Sequence, residues 1–134
     1  MALLTALSVA AGLAGAGCGG DDVTNAERFC GEIEVHQDEL FSPELSTAAE
    51  IQPLLQLYRD IGEFAPIAIE AEWEQLVVNY ETASTVVPGD EASLQDVAAQ
   101  AYQSEQSASA VKRWLQDNCA LDIGPVATIV DQGG

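Results

Sequence analysis

The chain has 134 residues, enough for one domain, and 48% of them are hydrophobic, enough for a packed core. It carries 22 acidic against 4 basic residues, a formal charge of −18, which excludes nucleic acid and anionic membrane surfaces as partners reached by long-range attraction. Aromatics make up only 6% and alanine supplies much of the apolar content, so close-packed helices are expected rather than a sandwich of large β-branched side chains.

Residues 2–17 are uncharged and built from Ala, Leu, Gly, Val, Ser and Thr. The run is short of the ~20 apolar residues a bilayer span needs, and it reads as the apolar core of an export signal. It ends in Ala14-Gly15-Ala16-Gly17-Cys18-Gly19-Gly20-Asp21-Asp22. Small residues before a cysteine, then Gly-Gly and acid, resemble a bacterial lipoprotein cleavage site, where the cysteine becomes the acylated N-terminus. Gly15 stands where that pattern usually has Leu, and no Lys or Arg precedes the apolar run, as expected if translation starts upstream of Met1. The expectation is a signal peptide over 1–17, lipid on Cys18 and a tether over 18–23. The alternatives are a plain secretion signal or an N-terminal helix, with Cys18 an ordinary thiol.

The first helix is expected over 24–40. Thr24 and Glu27 have capping-box spacing, and Ala26, Phe29, Cys30, Ile33 and Leu40 form one stripe with His36 or Gln37 in its gap. Pro43 ends it. The second helix is expected over 47–64, with a stripe of Ile51, Leu54, Leu55, Tyr58, Ile61 and Phe64; Pro53 moves its regular part towards Gln52. Pro66 suits the first position of a third helix over 66–86, whose face carries Ile69, Trp73, Leu76, Val77, Tyr80 and Ala83. After the turn at Val87-Pro88-Gly89, Asp90 is a candidate N-cap for a fourth helix over 91–118. Its core face is Leu94, Val97, Ala98, Ala101, Ala108, Val111 and Leu115, with Lys112 and Arg113 in the closing turns to complement the dipole. Residues 124–134 are expected as a loosely ordered tail. The fold class is therefore all-α, an up-down-up-down four-helix bundle over 24–123.

Three cysteines in an exported chain leave one over. Giving Cys18 to lipid leaves Cys30 and Cys119 for a disulfide, which an oxidising compartment permits. The bundle topology leads to the same pairing, because it sets the start of the first helix beside the end of the last. Lipid on Cys18 would turn that end towards the membrane. The 41–46 and 87–92 connections would then point away, presenting Phe41, Pro43, Glu44, Pro88 and Asp90 to a partner.

Little in the sequence carries chemistry. With one histidine, His36, and no Gly-x-Ser-x-Gly elbow, a nucleophilic triad is not assembled, and the expectation is a non-enzymatic protein without a cofactor. Glu32 and His36 are i, i+4 on the first helix and form a weak candidate metal pair; Glu34 faces elsewhere. Residue 33 is Ile, so the Glu-x-x-His motif of di-metal bundles is absent. The ordinary reading of His36 is a hydrogen-bonded residue on the helix seam. Glu70 and Glu74 read as a solvated face, and Trp73 and Trp114 as core anchors rather than a ligand groove.

Phe29-Cys30, His36-Gln37, Ala65-Pro66, Trp73, Trp114, Asn118-Cys119 and Leu121-Asp122-Ile123 together resemble small, uncharacterised secreted or lipid-anchored helical proteins of actinobacteria. The resemblance implies an exported all-α domain with one disulfide and brings no activity. The functional expectation is a lipid-anchored binding or interaction module of the cell envelope with an unknown envelope or extracellular protein partner. The alternative is an extracytoplasmic binder of metal cations or small ligands, which the acidic charge would attract.

Overall fold

Helical periodicity runs through the chain, and the computed structural model, which describes residues 20–125, follows it. Among the described residues five helices occur in order: α1 Gly20–Val35, α2 Gln37–Phe41, α3 Ala48–Gly62, α4 Glu70–Ser84 and α5 Glu91–Cys119. The described residues contain no strand. The signal segment expected over 1–17, Cys18 and residues 126–134 of the expected tail lie outside the described residues.

The first expected helix is two. It begins at Gly20, so Thr24 lies in its second turn and is not the N-cap. It bends at His36, whose φ of −107° and ψ of 17° leave the helical range. The hydrogen-bond ladder survives the bend: the His36 amide donates to the Glu32 carbonyl at 3.1 Å, and the Leu40 amide to the His36 carbonyl at 2.9 Å. Adjacent Leu40 and Phe41, both on α2, are buried in the core. Phe41 is only 3% exposed, so the expectation that it faces a partner is corrected.

α3 starts at Ala48, four residues before the start expected from Pro53. Thr47 and Glu50 form a capping box, and the Glu50 carboxylate accepts from the backbone N–H groups of Ser46 at 2.6 Å and Thr47 at 2.8 Å. Pro53 then sits inside the helix. It and Ala49, four residues earlier, are both exposed, so water reaches the carbonyl that proline cannot satisfy. α3 ends against Trp73, and a Cβ on Gly62 would lie 3.0 Å from the indole, closer than side chains normally approach.

Pro66 does not open α4. Residues 66–69 make a separate turn, in which the Ile69 amide donates to the Pro66 carbonyl at 2.9 Å, and the helix begins at Glu70. α5 matches its expected span to within a residue. Asp90 caps it as expected, its carboxylate accepting from the Ser93 amide at 3.0 Å. Ala120 closes it in the left-handed conformation, φ 54°, which lets its N–H and that of Leu121 turn back to the Leu115 carbonyl. The last turn carries no basic residue; Lys112 and Arg113 lie further back, outside the turn where a dipole pairing acts.

α4 is the central helix, packed along both α3 and α5, whereas α1 meets α3 and α5 over shorter stretches. Aromatic rings tie these layers. Phe29 of α1 stands edge-on to both Trp73 and Trp114, with centroids 5.0 and 5.8 Å away. Trp73 stacks on Tyr58, and Tyr58 lies beside Tyr80. The buried polar ends of these rings are used: the Trp73 indole donates to the Tyr58 carbonyl at 2.8 Å, and the Tyr58 hydroxyl to the Leu40 carbonyl at 2.9 Å. Ala101, Ser104 and Ala108 are buried along α5, where their small side chains allow close packing. Leu94 is 50% exposed instead of buried. A seven-residue repeat drifts about 20° per heptad on a straight helix, so Leu94 stands about 60° off the line of Leu115, three heptads on.

Candidate functional site

The two helical segments furthest apart in sequence meet at one end of the molecule. Cys30, in the third turn of α1, and Cys119, the last residue of α5, form a disulfide with Cα atoms 5.4 Å apart across 89 residues of sequence. Beside it lies a groove of about 370 Å³ lined by Val23, Ala26, Glu27, Cys30, Pro66, Ala68, Trp114 and Asn118. Trp114 is half-buried, one edge against Phe29 and the rest in the groove wall, so of the two tryptophans read as core anchors only Trp73 is fully enclosed. Arg28 covers the neighbouring flank, its guanidinium carbon 3.7 Å from the centre of the Phe64 ring.

The bend between α1 and α2 holds the candidate metal pair. His36 Nε2 lies 3.9 Å from a Glu32 carboxylate oxygen, and Nδ1 lies 3.3 Å from Glu39. The structure thus adds Glu39, which sequence reading missed although its i, i+3 spacing could have found it. All three side chains are substantially exposed. Among the described residues no group of three or more His, Cys, Asp or Glu side chains is arranged to hold a metal ion. His36 acts here as a seam residue between two carboxylates. Next to it, Gln37 donates to the Asp122 carbonyl at 3.1 Å, docking the chain that follows α5 onto α2. Ile123, the last residue of the expected domain, is buried.

A family model, a curated protein or a solved structure matching this chain was not found. The chemistry must therefore be read from the side chains themselves.

A second cavity, about 390 Å³, lies under the α2–α3 connection, with Asp38, Glu39, Glu44 and Glu50 around Pro43, Leu45, Pro53 and Leu54. The two backbone donors to Glu50 hold its carboxyl below the ordinary value. Glu70 and Glu74 line a third groove with Arg59, Trp73 and Val77; the Arg59 guanidinium is engaged by Glu81 at 3.2 Å. Burial pushes the Tyr58 hydroxyl well above its ordinary range, reinforced by Tyr80 beside it, and burial raises Tyr80 too. Both phenols stay protonated at neutral pH. No helix among the described residues is long and apolar enough to cross a membrane.

Proposed function

We propose that this chain is an exported, lipid-anchored, non-enzymatic binding module of the cell envelope, held to the membrane through Cys18. In this reading the domain is an up-down-up-down four-helix bundle, with α1 and α2 together as its first helix. The observation that carries it is the Cys30–Cys119 disulfide, which accounts for two of the three cysteines, favours an oxidising compartment, and lies on the helix whose start is nearest Cys18 in sequence. The resemblance to secreted and lipid-anchored helical proteins of actinobacteria belongs with the same reading. Partner binding is assigned to the end opposite the disulfide, where Glu44, Pro88 and Asp90 are exposed.

Mass spectrometry of the non-reduced protein from native membranes tests it. The expected result is acyl mass on Cys18 and a Cys30–Cys119 linked peptide; an unmodified Cys18 thiol in membrane-purified protein refutes the anchoring. Affinity isolation of the lipidated form from the native envelope then tests the binding role, with one stoichiometric partner expected.

A second reading, a small-ligand binder, draws support from the cavity of Asp38, Glu39, Glu44 and Glu50 over an apolar floor. Its chemistry suits a small organic polycation. Thermal stabilisation by spermidine, absent in an E39Q/E44Q variant, would favour it over the first reading.

A further inference from the structure

We propose that the groove beside the disulfide is a bilayer-docking surface, which seats this end of the domain in the interfacial layer of the membrane. The proposal rests on the reading that Cys18 carries lipid and goes beyond it, from attachment to the protein surface that enters the bilayer. The groove wall is mostly apolar, with Val23, Ala26, Pro66, Ala68 and the open edge of Trp114 between Glu27 and Asn118. Its rim carries two of the most exposed large aliphatics of the described chain, Val23 at 60% and Ile67 at 78%. Ile67 sits at the tip of the 66–69 turn, between groove residues Pro66 and Ala68. Among the described residues nothing covers Val23 and Ile67, and a half-buried tryptophan beside exposed aliphatics is the composition that interfacial membrane surfaces favour.

Distance fixes the occupant. The described chain begins at Gly20, and Val23 lies one helical turn further on. Two extended residues and three helical ones put Val23 at most about 12 Å from Cys18. A lipidated Cys18 would sit in the headgroup layer, itself several ångströms thick on each face, so the groove cannot stand far from the bilayer. The charge of this end agrees. Three of the four basic residues, Arg28, Lys112 and Arg113, lie within about 11 Å of helix rise from Cys30 or Cys119. Glu27, Glu32, Glu34 and Asp117 lie within the same reach, with Asp21 and Asp22 just beyond it, so these cations offset part of the acid at this end, and a zwitterionic surface, unlike an anionic one, does not repel the remainder.

The test couples the full chain through the Cys18 thiol, the single thiol left by the disulfide, to a maleimide lipid in phosphatidylcholine vesicles containing brominated acyl chains. Coupling supplies the anchor whether or not the cell does, so failure of native acylation would appear only in the mass of the Cys18 peptide and not in this assay. The expected result is bromine quenching of part of the tryptophan emission, lost in W114F, with buried Trp73 as the unquenched reference. V23D and I67D each lower the docking equilibrium about tenfold or more. Ile67 is exposed enough that its substitution leaves the helical circular dichroism unchanged. Absence of quenching in the coupled wild type, or quenching that survives V23D and I67D together, overturns the proposal.

Discussion

α1 with α2, and the layer of α3, α4 and α5, are held in place by different physics. In the layer, α4 is packed on both sides along its length, and its buried face of Trp73, Leu76, Tyr80 and Ala83 would be hard to lose piecemeal. Among its described side chains α1 contributes two that are fully buried, Phe29 and Ile33, and the disulfide ties it to α5. A helix with so little apolar surface is marginal in isolation. The difference suggests that the covalent link substitutes for packing where the chain leaves for its N-terminal segment.

The strongest way to break that contrast is to remove the link. In the chain-entropy model, opening a loop of 89 residues costs about 4–5 kcal/mol, comparable to the whole stability of a small domain. The C30A/C119A variant should show a much lower denaturant midpoint than the oxidised protein. Hydrogen exchange should rise first in α1 and α2, while α4 amides keep the protection of the remaining global stability. Uniform loss of protection along all five helices would show that the two regions are one cooperative unit.

Phe29 is the next lever, because it is the packing counterpart of the disulfide and touches both tryptophans. Phe29→Ala should cost about 3–5 kcal/mol, read by chemical denaturation, with a change in Trp114 emission as its edge contact is lost. The layer contains the opposite kind of site. Asn79, 4% exposed on α4, has a side-chain carbonyl with no hydrogen-bond partner among the described residues. An unsatisfied buried polar atom is costly, so Asn79→Leu should stabilise the protein by about 1 kcal/mol. If it destabilises instead, Asn79 serves the packing of α4, and the layer is less purely apolar than it looks.

These sites also show what the sequence made legible. The stripes of α3 and α4 were read nearly residue for residue, because Ile51, Leu54, Leu55, Tyr58 and Ile61, or Trp73, Leu76, Tyr80 and Ala83, recur at helical spacing and meet a core on one side. The cysteine pair was legible from arithmetic and topology together. What was not legible depends on tertiary context. The bend at His36 carries no proline or glycine that would announce it. Pro53 suggested a late start for α3, and the capping box at Thr47 and Glu50 outweighed it. The groove beside the disulfide joins Val23, Pro66, Ala68 and Trp114 from three parts of the chain, so no motif could announce it.

The smallest expected effect concerns that same capping box. The backbone donors at Ser46 and Thr47 lower the folded-state pKa of Glu50 below its ordinary value of 4.5. A carboxyl depressed in the folded state contributes stability that is complete above its unfolded pKa and is lost as pH falls through the folded value. Wild type should therefore unfold at a higher temperature than Glu50→Gln at neutral pH. The gap should hold down to about pH 4.5 and narrow below it, as protonation of the wild-type carboxyl removes the charge that Gln lacks. Glutamine can still accept from both amides, so the difference isolates the charge, and the full exposure of the site keeps it small. Because Glu50 opens α3, in the packed layer, hydrogen exchange of α1 should not respond. A gap that persists unchanged at acid pH would assign the effect of Glu50 to hydrogen-bond geometry and not to its charge.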